Sequence, residues 1–276
     1  MTIIPLLLFA VCVFLKTGAY ANEAPQRIVS MNVCTDQLVM MLAERDRIAS
    51  VSYLATNPSV SSMVHEAAGL HQNHGLAEEI FLLDPDLVIA GTFTTRPTVA
   101  LLQRLGRPVL DVPPANSVED IIANIRLIAG AIGAEEKGEA LIADFEDGLA
   151  ALDGGPGDGM PAVAYWSNGF TSGGGTLAAD IMTRAGLTNL AAERGLTGTG
   201  QMPLEALVSS DPRLLVLGPR YEGDALAHQI LDHPALQAWA TSRHVVTIED
   251  AAWVCGTPLV LKAVAGLVQA RRSLAP

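Results

Sequence analysis

Short apolar runs rich in β-branched residues alternate along this chain with segments whose apolar positions recur every three or four residues. The first pattern marks buried strands and the second amphipathic helices. Residues 27–31, 48–53, 87–90 and 109–112 read as strands, with helices predicted over 37–44, 76–83 and 98–105. The pattern resumes at 162–166, 214–217 and 245–248 as strands, with a helix over 177–185. Strands separated by helices predict mostly parallel sheets covered on both faces. The expected fold is therefore α/β, with two doubly wound lobes.

A repeat supports two lobes. Glu78 to Gly91 reads EEIFLLDPDLVIAG, and Glu205 to Gly218 reads EALVSSDPRLLVLG. At a constant offset of 127 residues, Glu78 matches Glu205, Asp84 matches Asp211, Pro85 matches Pro212, Leu87 matches Leu214 and Gly91 matches Gly218. Each copy predicts a short helix, an Asp-Pro turn and an apolar strand ending in glycine. Between the copies, Ser117 with Asp120 makes a helix start. Ile121, Ile125, Ile128 and Ile132 then form a stripe that Leu141, Phe145, Leu149 and Leu152 continue beyond Gly133. One continuous helix over 117–152, on the order of 50 Å long, is expected to bridge the lobes. It is followed by a glycine-rich linker at 154–157. The expected organisation is a signal peptide at 1–21, one lobe at 22–116, the bridging helix at 117–152 and a second lobe at 153–276.

Composition refines this picture. Half of the 276 residues are hydrophobic, and part of that excess is the unbroken apolar run at 3–15. Ala19-Tyr20-Ala21 follows it as an A-x-A cleavage pattern, so export with a mature start at Asn22 is expected. The run is too short to span a bilayer. Asp and Glu outnumber Lys and Arg by 29 to 17, for a net charge of −12, which excludes a nucleic-acid partner on electrostatic grounds. The stretch 251–270 is interrupted by Cys-Gly-Thr-Pro and carries Lys262, so it reads as a turn and a buried C-terminal helix rather than a membrane span.

RIVSMNVCTDQL at 27–38, GLAEEIFLLDPDLVIAG at 75–91, TSGGGTLAADIMTRAGLTNLA at 171–191 and PLEALVSSDPRLLVLG at 203–218 resemble, in that order, blocks of the substrate-binding proteins of iron-complex and cobalamin ABC importers. The resemblance covers residues 27 to about 272. It implies a periplasmic, monomeric, non-enzymatic protein without a cofactor of its own. Its ligand would be a metal chelate or corrinoid (cobalamin, heme or ferric siderophore), passed to an ABC permease and ATPase complex. In that family one glutamate on each lobe reaches permease arginines, and the matching positions are Glu78 and Glu205.

In open α/β sheets ligands bind beyond the carboxyl ends of the strands. Six of the ten aromatic residues that follow the expected signal lie there: Tyr53, Phe93, Trp166, Phe170, Tyr221 and Trp253. This suits a broad, ring-like ligand. Cys34, Thr35, Asn73, His74 and Cys255 fall on the same segments and complete the candidate ligand-binding set. For the cysteines three readings stay open: a disulfide, ligation of metal together with His74, or buried thiols. No dedicated metal site is expected. Ser172-Gly-Gly-Gly-Thr176 reads either as backbone amides offered to an anion or as a plain turn, and Arg96 and Arg220 are the cationic candidates. The competing function is a secreted metal-binding protein, or a hydrolase with Ser167 or Cys34 as nucleophile, built on Cys34, His74 and Cys255.

Overall fold

The computed structural model describes residues 24–152, 159–219 and 226–274; the expected signal peptide, the 154–157 linker, Arg220 and Tyr221 lie outside these. In the first lobe, β1 (Ile28–Ser30), β2 (Ile48–Ser52), β3 (Gln72–Asn73), β4 (Leu87–Gly91) and β5 (Val109–Val112) form an all-parallel sheet of order β3-β2-β1-β4-β5. Helices α1 (Val33–Leu42), α2 (Val64–Ala67), α3 (Ala77–Leu82) and α4 (Arg96–Arg104) connect these strands. Next come α5 (Val118–Ile132) and α6 (Glu135–Leu152).

The second lobe contains β6 (Met160–Tyr165), β7 (Phe170–Ser172), α7 (Leu177–Arg184), β8 (Leu187–Asn189), α8 (Leu190–Glu193), β9 (Thr199–Gln201), α9 (Leu204–Ser210), β10 (Leu214–Leu217), α10 (Pro234–Ala240), β11 (His244–Thr247) and α11 (Leu261–Arg272). Its main sheet is parallel, of order β11-β10-β6-β8, and β7 pairs antiparallel with β9. The buried strands are near-continuous apolar runs (Leu87 to Ala90 and Leu214 to Val216 are all buried), as parallel sheets covered on both faces require.

The repeated segments adopt the same structure. Each is a helix, a turn and a strand, α3 to β4 and α9 to β10. Both turns are made by a non-glycine residue in the left-handed region, Asp84 and Asp211, each at φ 49°. Asp is among the few residues that tolerate this conformation. Asp84 is ion-paired with Arg107 at 2.7 Å, and Asp211 with Arg243. The backbone continues the match: the Asp86 amide donates to the Arg27 carbonyl, and the Arg213 amide donates to Pro161.

The expected single bridging helix is instead two helices. Gly133 takes the left-handed conformation (φ 66°), and the amides of Gly133 and Ala134 both donate to the Ala129 carbonyl, which closes α5 with a glycine C-cap. α5 starts against the second lobe, where the Val118 amide donates to Asp180 of α7 and Glu119 pairs with Arg184. It ends against the first, where Arg47 donates to the Ile132 carbonyl. α6 then turns back across α5. A Cβ on Gly138 would stand 2.7 Å from that of Ala129, so glycine permits this close crossing. Arg126 of α5 pairs with Glu139 of α6. The apolar stripe is real, since Ile121, Ile125, Ile128, Ile132 and Phe145 are all buried. However, it faces a core shared by both lobes instead of running along one rod.

Candidate functional site

The site grows from the carboxyl ends of the parallel strands. After β1, Asn32 caps α1 by accepting from the Cys34 amide, which places Cys34 in the first helical turn facing the second lobe. After β11 the chain makes a 3-10 turn at Asp250–Ala252 and delivers Trp253, Val254 and Cys255. Cys34 and Cys255 are joined in a disulfide, with Cα atoms 4.9 Å apart across a sequence separation of 221. Of the three readings of the cysteines the disulfide is the one realised. It consumes both thiols, so the Cys34/His74/Cys255 metal cluster and the Cys34 nucleophile are overturned. Among the described residues no group of three or more His, Cys, Asp or Glu side chains is placed to hold a metal ion.

Two cavities flank the disulfide and share Val254 as a wall. One, of about 220 Å³, lies against Cys34, Thr35, Phe93, Pro113, Asn124 and Gly256, among others. The other, of about 410 Å³, is walled by Trp166, Phe170, Thr176, Asp250 and Trp253, among others. Trp166 and Trp253 pack with ring centroids 5.4 Å apart at 48°, so the larger cavity has an aromatic floor. Phe93 is 85% exposed, and Phe170 and Val254 are 40% and 52% exposed. These apolar groups border a cleft instead of a core. At the far rim Tyr53, just after β2, stacks on His74, just after β3, with centroids 5.2 Å apart and nearly parallel rings. Glu79 holds this pair, accepting from the His74 amide at 2.8 Å.

Other candidates are used internally. Asn73 is fully buried and donates to the Ser30 carbonyl and to Ser50, tying three strands together; its side chain is not available to a ligand. Thr35 borders the smaller cavity, but its hydroxyl bonds Ser30 and the Asn32 carbonyl. The glycine run is a turn: the Gly173 and Gly174 amides donate to Gly198 and Leu196, so neither is free for an anion. A Cβ on Gly173 would meet the Leu196 carbonyl oxygen at 2.1 Å. Arg96 is paired with Asp111 at 2.8 Å. Phe81 is 37% exposed and lies under the Arg107 guanidinium.

Beneath the first-lobe floor lies a group that the sequence did not mark. Asp36 of α1 is fully buried and accepts from the Ser52 amide and hydroxyl. Burial raises its pKa to about 7, against the opposing effect of those hydrogen bonds. Val254, Pro113 and Asn124 were missed as well. The aromatic count could not find them, because each reaches the cleft through tertiary packing.

Glu78 and Glu205 sit at matching first-turn positions of α3 and α9, both exposed.

A family profile described as periplasmic binding protein matches residues 28–252. The chain belongs to that family. A cobalamin-binding protein of Halobacterium salinarum is 28% identical over 208 residues, 74% of this chain and 56% of that protein. An uncharacterized ABC transporter substrate-binding lipoprotein, YvrC, of Bacillus subtilis is 25% identical over 71% of this chain and 64% of that one. The chain thus spans little more than half the length of the curated relatives it matches. Among solved structures, the periplasmic heme-binding protein RhuT from Roseiflexus superposes with a TM-score of 0.74 at 22% identity, covering 91% of this chain and 99% of that one. The vitamin B12 binding protein BtuF of Vibrio cholerae does so at 0.70 and 19%, covering 91% and 98%. At these identities the structural likeness establishes the two-lobed fold.

Proposed function

We propose that this protein is the solute-binding component of an ABC importer. In this reading it is exported by cleavage of residues 1–21, captures a metal chelate or corrinoid in the cleft between the lobes, and delivers it to a permease and ATPase complex. The observation that carries the reading is the aromatic cleft: Trp166 on Trp253, with exposed Phe93, Phe170 and Val254, on the carboxyl ends of two parallel sheets. Broad apolar walls with few convergent polar groups suit a flat, ring-bearing ligand. Membership in the periplasmic binding protein family, and relatives described as binding cobalamin and heme, support the same class. The protein performs no covalent chemistry in this reading and acts as a monomer.

Glu78 and Glu205 are read as the two contacts to permease arginines. An exposed ion pair contributes only about 0.2–1 kcal/mol, so the two orient the docked protein more than they hold it. The test is a titration with hemin, cyanocobalamin and a ferric siderophore, followed by quenching of Trp166 and Trp253 fluorescence. Saturable binding of one of them at micromolar or lower concentration is the expected result; no binding of any would remove the ligand class.

A further inference from the structure

The polypeptide passes from the first lobe to the second once, through residues 113–117, α5 and α6. Both lobes pack on that helical connection in one shared core, so the motion left to them is an opening at the cleft edge, limited by the contacts made there. Ser62 donates to the Ala251 carbonyl at 2.7 Å. Gly256 approaches Ala115 of the connecting segment so closely that a Cβ would stand 2.3 Å from that side chain. Between these two points lies the Cys34–Cys255 bond. Cys34 opens α1 directly after the central strand of the first sheet, and Cys255 follows β11 of the second.

We propose that this disulfide is a second covalent tie between the lobes, which fixes the width of the cleft at its floor so that the ligand-free protein already holds the binding geometry. Three placements support it. The bond lies at the cleft and not inside one lobe, because Cys34 borders the smaller cavity and both neighbours of Cys255, Val254 and Gly256, border it too. Trp253 and Val254, which wall the larger cavity, are within two residues of the bond, so the tie positions the aromatic floor directly. Finally, α5 and α6 form the other tie. With these helices holding the bases of the lobes, the bond keeps the Cys34 and Cys255 sides of the cleft from drawing apart. The effect on the ligand rests on the cleft being the ligand site, as proposed above; the effect on lobe separation does not.

The experiment places bio-orthogonal spin labels at exposed Gln103 on α4 and Ala238 on α10 and measures their distance distribution by electron double resonance without ligand. Wild-type protein is expected to give one narrow peak. The Cys34→Ser/Cys255→Ser double variant is expected to give a broad distribution that narrows again when hemin or cyanocobalamin, whichever wild type binds, is added. Its apparent affinity should fall about tenfold if the binding width is then populated about one-tenth of the time. An unchanged narrow distribution in a folded double variant would overturn the proposal. Should that variant not fold, wild-type protein reduced with a phosphine is measured in the same way. Broadening with native circular dichroism supports the tie; an unchanged peak, or loss of the fold on reduction, overturns it, the latter by making the bond a condition of folding. Failure of every probe to bind wild type would instead remove the ligand class and leave the distance result standing.

Discussion

The two lobes support the cleft by different means although their folds correspond. Under the first-lobe edge lies a buried polar network: Asn73 on Ser30 and Ser50, Thr35 on Ser30, and Asp36 on Ser52. The second-lobe edge is aromatic, with Trp166, Trp253 and Phe170 around a cavity of about 410 Å³. Hydrogen bonds are directional and costly to leave unmade once buried, so the first network specifies one geometry and makes a rigid platform. Aromatic faces are broad and tolerant of lateral shift, so the second edge gives adaptable contact area. One lobe thus fixes the position of the floor and the other supplies most of the surface a ring would cover. The disulfide joins the rigid edge to the adaptable one.

The largest expected effect comes from cutting that joint. The Cys34→Ser/Cys255→Ser double variant should lose about 2–5 kcal/mol of unfolding free energy, the usual range for removing a native disulfide that closes a long loop. Denaturant melts under oxidising conditions read this directly, and a loss below about 1 kcal/mol would mean that the lobes are held by packing alone.

The rigid edge is tested through Asp36. Its pKa is near 7 in the folded protein and 3.8 when unperturbed. Between pH 4 and 7 the folded state therefore retains a proton that the unfolded chain has released. Stability from this group is full below about pH 4 and falls as pH rises to 7, by a few kcal/mol. Asp36→Asn keeps an acceptor for Ser52 and removes the titration. The variant should become more stable relative to wild type as pH rises through that window, measured as the difference between their melts at pH 4.5 and 7.5. Parallel pH dependence in both proteins would show that Asp36 titrates normally.

On the adaptable edge, Phe170→Ala removes a ring that is 40% exposed at the cavity wall. It should weaken the bound chelate by about 0.5–1.5 kcal/mol, roughly threefold to tenfold, with the melting temperature little changed. The matching change at Phe93 reads the first-lobe wall, and a much larger effect there would reverse the comparison between lobes.

The smallest effect tests the correspondence itself. Asp84→Ala and Asp211→Ala each put alanine in a left-handed turn and release an exposed ion pair. Each should cost about 1 kcal/mol, and equal losses in melts are the expected outcome. A strong inequality would show that the two turns carry different loads.

The strands β1, β2, β4, β5, β6, β10 and β11 were legible because each carries apolar residues in a run bounded by turn residues, although β5 and β11, at sheet edges, are less buried than that pattern implies. The shorter pairs β3, β8 and β7 with β9 were not, since segments of two or three residues leave no period to read. The bridge failed for a similar reason. The stripe from Ile121 to Leu152 keeps its period through Gly133, and hydrophobic spacing alone does not register that one glycine has turned left-handed and reversed the chain. Glycine followed by Ala134-Glu135-Glu136 was the available signal, a C-cap and then an acidic first turn of a new helix.

The sequence by itself determined the α/β alternation, the repeat about the two Asp-Pro turns and the strand ends on which the cleft residues lie. Local periodicity and turn chemistry write those in consecutive residues. Tertiary structure alone decided which candidates face the cleft and which are spent inside. Asn73 ends one strand and Tyr53 follows its neighbour, yet one is sealed among three strands and the other stacks in the open. It also decided the Cys34–Cys255 pairing, because bringing two Cα atoms to 4.9 Å across 221 residues depends on how two whole sheets are set against each other, and no local pattern encodes that.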